Sequence, residues 1–344
     1  MHKTRIAVIF LVAGPTLVCG ACGSGASDGG STTDSGSAAT DASGEAQWSS
    51  PGTDGSSPDG GSQSTTGSAS DGGVDAAAEA STESDAAAPV LDGAVGDAAL
   101  QPYKGVAGNS TCSELGMLEV SWWYNWETGP GSCKTTPFVP MVWGHTGSEQ
   151  TASGIASEVS SAVSAGYSYI LGFNEPDNTS QSNISVATAI SLWPSFKNPS
   201  LRVGAPATQG NSAGLTWIKN FMSQVNADTT GTLQVDFIAT HWYGWNAGSC
   251  DAKAANLESW IAGIEAIPGN RPIWLTEWGC LNASNPDAAT VQAFYTGAIA
   301  MFAKHPRLER YAWYQFTTNN ELVYGDGGGL TPLGTAYAAA PASR

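Results

Sequence analysis

Two glutamates stand at the ends of short apolar runs in this 344-residue chain: Glu175 in Gly-Phe-Asn-Glu-Pro-Asp (172–177) and Glu277 in Trp-Leu-Thr-Glu-Trp-Gly (274–279). Carboxyl groups delivered by the ends of two different strands are what cleavage of a glycosidic bond needs: one protonates the leaving oxygen while the other attacks or steadies the anomeric carbon. Alternation along the second run puts Ile273, Leu275 and Glu277 on one face, which opens at the strand's end. The plainer alternative for Glu277 is pairing with a buried Arg or capping of the next helix. Buried glutamates with neither a partner nor a task are rare. Glu175 follows Asn174, whose amide suits a sugar hydroxyl, and precedes Pro176, which removes a backbone donor and stiffens the chain beyond the carboxyl. Its plainer alternative is a loop Glu whose Asn and Asp neighbours shape a turn.

The acid of such a pair must hold its proton near neutral pH, and its mate must stay ionised by accepting from donors. His241 and Tyr243 lie two residues apart, so both face one side of their strand. Tyr243 is placed to donate to Glu277. His241 suits a sugar hydroxyl or either carboxylate, and equally suits a structural role at a strand end. Twelve of the chain's tryptophans fall beyond residue 100, and eight of these lie at or just past strand ends: Trp122, Trp123, Trp126, Trp143, Trp242, Trp245, Trp278 and Trp313. Such a placement suits stacking on the apolar faces of sugar rings, although period two must send some of them into the core. Trp143, Trp278 and Trp313, with Tyr124, are the expected platforms.

The elements that must hold these groups alternate. Strand-like runs lie near 118–124, 138–143, 168–173, 202–205, 235–241, 272–277 and 310–316, and helical spacing of apolar residues covers 151–165, 184–193, 213–225, 253–266 and 288–304. Ser153 and Asp287 are the expected helix openers, Gly166 and Gly269 the stops. This alternation predicts an α/β fold with a parallel sheet covered on both faces. Candidate residues at the ends of many strands favour a closed (β/α)8 barrel, a single domain with one functional face, over an open sheet with one switch point. Seven strands are visible, and the eighth is expected to be short or irregular.

Composition separates three parts. Residues 1–22 carry Lys3 and Arg5 before an apolar stretch and end in Cys-Gly-Ala-Cys, a lipoprotein-type export signal with Cys22 as the acylated residue, or a plain secretory signal. Only that lipid would bring the chain to a membrane. Residues 23–102 form a Gly/Ser/Ala/Asp-rich linker expected to be disordered, with 13 acidic residues and no Lys or Arg between 23 and 99. The linker therefore accounts for most of the net charge of −17, which says nothing of substrate. The catalytic domain is expected over 103–344. Of its four cysteines no two have metal spacing; for an exported protein they read as disulfides, with Cys112–Cys133 and Cys250–Cys280 favoured among the three connectivities. His145, His241 and His305 form no ligand motif, so neither metal nor other cofactor is expected. The absence of a basic patch makes nucleic acid a poor partner.

Taken together, Ser121-Trp-Trp-Tyr-Asn-Trp126, Phe138-Val-Pro-Met-Val-Trp-Gly144, Leu171-Gly-Phe-Asn-Glu-Pro-Asp177, Asp236-Phe-Ile-Ala-Thr-His-Trp-Tyr243 and Trp274-Leu-Thr-Glu-Trp-Gly279 resemble glycoside hydrolase family 128, the catalytic cores related to a fungal alkali-sensitive linkage protein. The resemblance spans nearly all of the expected domain in order. It implies a (β/α)8 barrel that hydrolyses β-1,3-glucan with retention of configuration, with Glu175 as general acid/base and Glu277 as nucleophile; endo action and a monomeric state are expected. A non-catalytic glucan-binding surface protein, and a related enzyme acting on β-1,4-linked glucan, mannan or xylan, are the alternatives. The stretch 102–117 and the loops after Cys250 and Asn319 match no motif.

Overall fold

The computed structural model describes residues 101–341 except 132, 247, 282–285, 315–318 and 326. The export signal, Cys22 and all but the end of the linker lie outside the described residues. No described helix is long and apolar enough to cross a membrane.

Among the described residues seven parallel strands and seven α-helices alternate: β1 (Tyr103–Ala107), α1 (Cys112–Met117), β2 (Trp122–Tyr124), α2 (Ala152–Ser164), β3 (Tyr169–Ile170), α3 (Val186–Leu192), β4 (Arg202–Val203), α4 (Ser212–Ala227), β5 (Ile238–Trp242), α5 (Ala255–Glu265), β6 (Ile273–Trp278), α6 (Ala288–Phe302), β7 (Leu308–Tyr314) and α7 (Pro332–Ala339). Five strands form one sheet in the order β2-β1-β7-β6-β5, and β3 pairs with β4. Single parallel bridges join the rest. Trp123 meets Phe138, Met141 meets Leu171, and Gly204 meets Phe237, so adjacency runs through an extended segment at 138–141 and returns to β1. The architecture is the expected (β/α)8 arrangement, with 138–141 in one of the eight strand positions.

The strand that sequence reading missed is β1. Its apolar run is only Val106-Ala107, broken by a charge at Lys104 and by Gly105. Tertiary packing explains both residues. A side chain at Gly105 would overlap the indole of Trp122, with ring atoms 2.4 Å from the added carbon. Lys104, wholly buried, donates from Nζ to the carbonyls of Tyr337, Ala338 and Ala340 at the end of α7. Helix α7 was also not anticipated; Thr331 caps it and Pro332 starts it.

Most helix ends follow local chemistry. Asp287 opens α6 as expected, accepting from the amide of Thr290 at 2.7 Å. The opener of α2 is Thr151 rather than Ser153, because the Thr151 hydroxyl accepts from the amide of Gly154. Gly166 and Gly269 take positive φ, 81° and 104°, just beyond α2 and α5. Both favoured disulfides are formed, Cys112–Cys133 and Cys250–Cys280, with Cα separations of 5.0 and 5.8 Å.

The lower barrel is filled rather than hollow. The Arg310 guanidinium lies 4.4 Å from the ring centre of Trp274 and 4.6 Å from that of Tyr169, with Tyr103 and Trp122 also beside it. Next to it Arg202 grips Glu309 through two hydrogen bonds of 2.8 and 2.9 Å. A packed floor leaves chemistry to the opposite face, where the strands end.

Candidate active site

The inward face of each strand decides which residues meet at the mouth. On β2, Trp122 and Tyr124 point inward and stack 6.1 Å apart, while Trp123 turns outward onto Phe138. On β5, Phe237, His241 and Tyr243 face inward. Thr240 accepts from the Trp260 indole on α5, and Trp242 lies against Phe294 on α6.

Strand β6 departs from simple alternation. Trp274 points into the barrel against Phe237, Trp122 and Tyr169, and Glu277, three residues on, points inward too. A β-bulge reconciles the two: Thr240 pairs with Leu275 but His241 pairs with Glu277, leaving Thr276 as the extra residue. The expectation that Ile273, Leu275 and Glu277 share a face is therefore corrected. Trp274 takes the inward position, and the inserted residue restores it for Glu277.

Glu277 is 6% exposed and surrounded by donors. Its Oε1 accepts from the Tyr124 hydroxyl at 2.9 Å and from the Trp126 indole Nε1 at 2.7 Å. Its Oε2 accepts from the Tyr243 hydroxyl. Burial, followed by the field of Glu277, pushes the Tyr124 and Tyr243 phenols far above the ordinary tyrosine range, so both remain donors. Burial and then Glu277 also raise Tyr314, which packs edge-on against Trp126 and Tyr243.

Glu175 is 7% exposed and sits in left-handed backbone, φ 41°, a costly conformation for a residue with a side chain. Its amide donates to the Ala207 carbonyl at 2.7 Å, and the Asn178 amide group donates to its Oε2 at 3.0 Å. The neighbouring loop is pinned through Asp177, which accepts from the Gln209 amide. Burial and the charge of Glu175 outweigh that bond and raise the Asp177 pKa.

His241 joins the two glutamates. It has no solvent exposure; Nδ1 lies 3.0 Å from Glu175 Oε1 and Nε2 lies 3.4 Å from Glu277 Oε1. Burial alone would lower its pKa. The charge of Glu277 and the hydrogen bond to Glu175 prevail and raise it. One ligand atom from each of Glu175, His241 and Glu277 falls within 4.8 Å of the others. A small cation fits such a trio by type, but the uncharged hydroxyl and indole donors already aimed at Glu277 serve its charge, and His241 spends its Nδ1 on Glu175. The donor set is that of a carboxylate pair rather than of a metal centre.

The remaining expected residues divide. Asn174 is buried beside Glu175, its Nδ2 donating to Gln181 and its Oδ1 without a partner among the described residues. Trp143 is half-buried at the rim, one face stacked on His145 at 3.9 Å, and Glu149 holds His145 through Nδ1 at 3.0 Å. Tyr124 proves to be a donor to Glu277 rather than a stacking platform.

Trp278 and Trp313 are corrected outright. Both are fully buried, Trp278 against Phe294 and Phe302 of α6 and Trp313 against Tyr295 of α6 and Tyr337 of α7. Each follows or precedes an inward residue, Glu277 or Tyr314, so period two turns it to the helices. Sequence reading named Trp126 among the strand-end tryptophans but not as a donor to Glu277, and passed over Tyr314, which alternation from Arg310 would have placed in the mouth. Trp245 is 45% exposed and packs 5.2 Å from Tyr243, which makes it an open aromatic at the site.

Comparison with known proteins points the same way. The profile described as the glycosyl hydrolase catalytic core matches residues 102–337. The alkali-sensitive linkage protein 1 of Schizosaccharomyces pombe is 29% identical over 233 residues, which cover 63% of this chain and 40% of that protein; the chain thus spans well under half its length. The crystal structure of a subgroup I family 128 endo-β-1,3-glucanase from Amycolatopsis mediterranei, bound to laminaritriose, is 33% identical with a TM-score of 0.58, covering 70% of this chain and 99% of that one. A subgroup III curdlan-specific exo-β-1,3-glucanase from Blastomyces gilchristii is 29% identical with a TM-score of 0.54, covering 69% and 97%.

Proposed function

The chain belongs to glycoside hydrolase family 128, and from that premise we propose that it is a retaining endo-β-1,3-glucanase in which Glu175 is the general acid/base and Glu277 the nucleophile. The observation that carries this reading is the proximity of the two carboxylates. Retention places such groups about 5–5.5 Å apart and inversion about 6.5–9.5 Å. One oxygen of Glu175 lies within 4.8 Å of one of Glu277, close enough for the first.

In the first step Glu277 attacks the anomeric carbon as the glycosidic bond breaks, and the Glu175 proton passes to the leaving oxygen. Water then attacks the same carbon, its proton goes to Glu175, and the bonding pair returns to Glu277. The roles follow from surroundings: Glu277 receives hydrogen bonds from Tyr124, Trp126 and Tyr243, as an anion does, whereas Glu175 is coupled to the titratable His241. Asn174, next to Glu175 with a free buried acceptor, is placed for the hydroxyl beside the anomeric carbon. Trp143 and Trp245 supply ring faces for neighbouring sugars. The β-1,3 linkage is supported by the laminarin oligosaccharides bound in the Amycolatopsis enzyme.

Purified protein on laminarin decides the matter. New reducing ends, with the β-anomer appearing first by proton NMR, are expected, and Glu175→Gln and Glu277→Gln should each lose several orders of magnitude in kcat with an unchanged circular dichroism spectrum. Binding without release of reducing ends would instead identify a glucan-binding protein. First appearance of the α-anomer would identify inversion.

A further inference from the structure

The two oxygens of Glu277 are not equivalent. A carboxylate oxygen offers about two in-plane acceptor sites, and on Oε1 both are taken, by the Tyr124 hydroxyl and the Trp126 indole, with His241 Nε2 closing the remaining side at 3.4 Å. Among the described residues Oε2 accepts only from Tyr243. The attacking atom is therefore Oε2. Once it bonds to the anomeric carbon, Oε1 becomes the carbonyl oxygen of a glycosyl ester.

We propose that Trp126 is a positioning residue that, together with Tyr124, forms a donor pair for that ester carbonyl and so drives the second half of the reaction. This rests on the retaining reading above. When water attacks and the C–Oε2 bond breaks, the bonding pair spreads over both carboxylate oxygens, so negative charge grows on Oε1 against two donors already 2.7 and 2.9 Å away. Fixed donors at a site of growing charge lower the barrier without reorganisation. In the first half the same bonds weaken as Glu277 gives up its charge, so they assist the hydrolysis of the intermediate and hinder its formation.

The chain builds Trp126 for this purpose. It takes a positive φ of 64°, and its ring is wedged edge-on between Tyr124 and Tyr314. The loop is held by Asn125, which accepts from the Glu127 amide and donates to the Gly129 carbonyl, and beyond it by the Cys112–Cys133 bridge.

Trp126→Phe keeps the ring packing and removes only the donor. The test uses 2,4-dinitrophenyl β-laminaribioside, whose leaving group makes hydrolysis of the intermediate limiting, so that kcat reports the second half and kcat/KM the first. The variant should lose about 10²-fold in kcat, the low end for removal of one such donor, with KM falling at least in parallel and kcat/KM unchanged or raised. Intact-mass spectra should then show a glycosyl adduct. Tyr124→Phe, which removes the other donor, should give the same pattern, and it carries the test if Trp126→Phe does not fold. Equal losses in kcat and kcat/KM, or unchanged kinetics, would overturn the proposal while the wild type still releases the β-anomer. Release of the α-anomer by the wild type would instead remove the retaining reading on which it depends.

Discussion

Lys104→Met tests whether a buried charge holds the barrel closed. The ammonium is fully enclosed and donates to the carbonyls of Tyr337, Ala338 and Ala340 at 2.8, 2.9 and 2.8 Å, so it serves three carbonyls at the end of α7, of which that of Tyr337 also accepts from the Ala340 amide. Each hydrogen bond to a charged group contributes about 1.5–3 kcal/mol. Against this stands the desolvation of the ammonium, several kcal/mol in a protein interior. Burial pushes the Lys104 pKa down to about 8, which leaves the charged form dominant at pH 7. The opposing effects leave a net contribution of about 2 kcal/mol, since removing one partner of a buried polar cluster costs more than replacing the whole cluster. Methionine fills the same volume and donates nothing. For a domain of this size that loss lowers Tm by about 4–8 °C, readable by thermal or urea denaturation at pH 7, while hydrolysis at 20 °C should persist because no part of Lys104 reaches the site. A variant as stable as the wild type, or more so, would show that desolvation outweighs the three hydrogen bonds.

Other outcomes follow from the same contacts. Trp278→Ala should cost about 3–5 kcal/mol of stability, as loss of a buried aromatic does, whereas Trp245→Ala should leave denaturation unchanged and raise KM on laminarin. Deleting Thr276 removes the bulge and leaves Glu277 two residues after Trp274, on the inward face by plain alternation; hydrolysis should therefore persist above the level of Glu277→Gln, and a fall to that level in protein that retains native circular dichroism would contradict the register argument. The raised pKa of His241 gives stability that is complete below its unfolded value, about 6.5, and is lost as pH climbs through the folded value. The groups facing it are Glu175, Glu277, Asp177 and the Tyr243 hydroxyl. The Tm advantage of wild type over His241→Gln should therefore shrink between pH 6 and pH 9, and a constant difference would mean that the imidazole does not titrate there.

What the sequence determined is the chemistry and the class of fold. Glu175 and Glu277 at strand ends, strands alternating with helices, and His241 spaced two residues from Tyr243 are local patterns, because backbone period and side-chain type are properties of a few consecutive residues. Disulfide choice was legible for a related reason: each bridge was expected to join segments flanking adjacent elements. Tertiary structure decided which side of each strand counts. The extra residue at Thr276 shifts parity through pairing with β5, which no count along β6 alone discloses. The fates of Trp278 and Trp313 followed from the same parity. Strand β1 was illegible because Lys104 and Gly105 match their surroundings only through α7 and Trp122, more than 230 and about 17 residues distant. The donor role of Trp126 likewise depends on the chain returning Glu277, 151 positions later, to its indole. Alternation operates between neighbours, whereas closure of the ring brings together residues far apart in the chain, and it is that closure which turns a set of strand ends into a site.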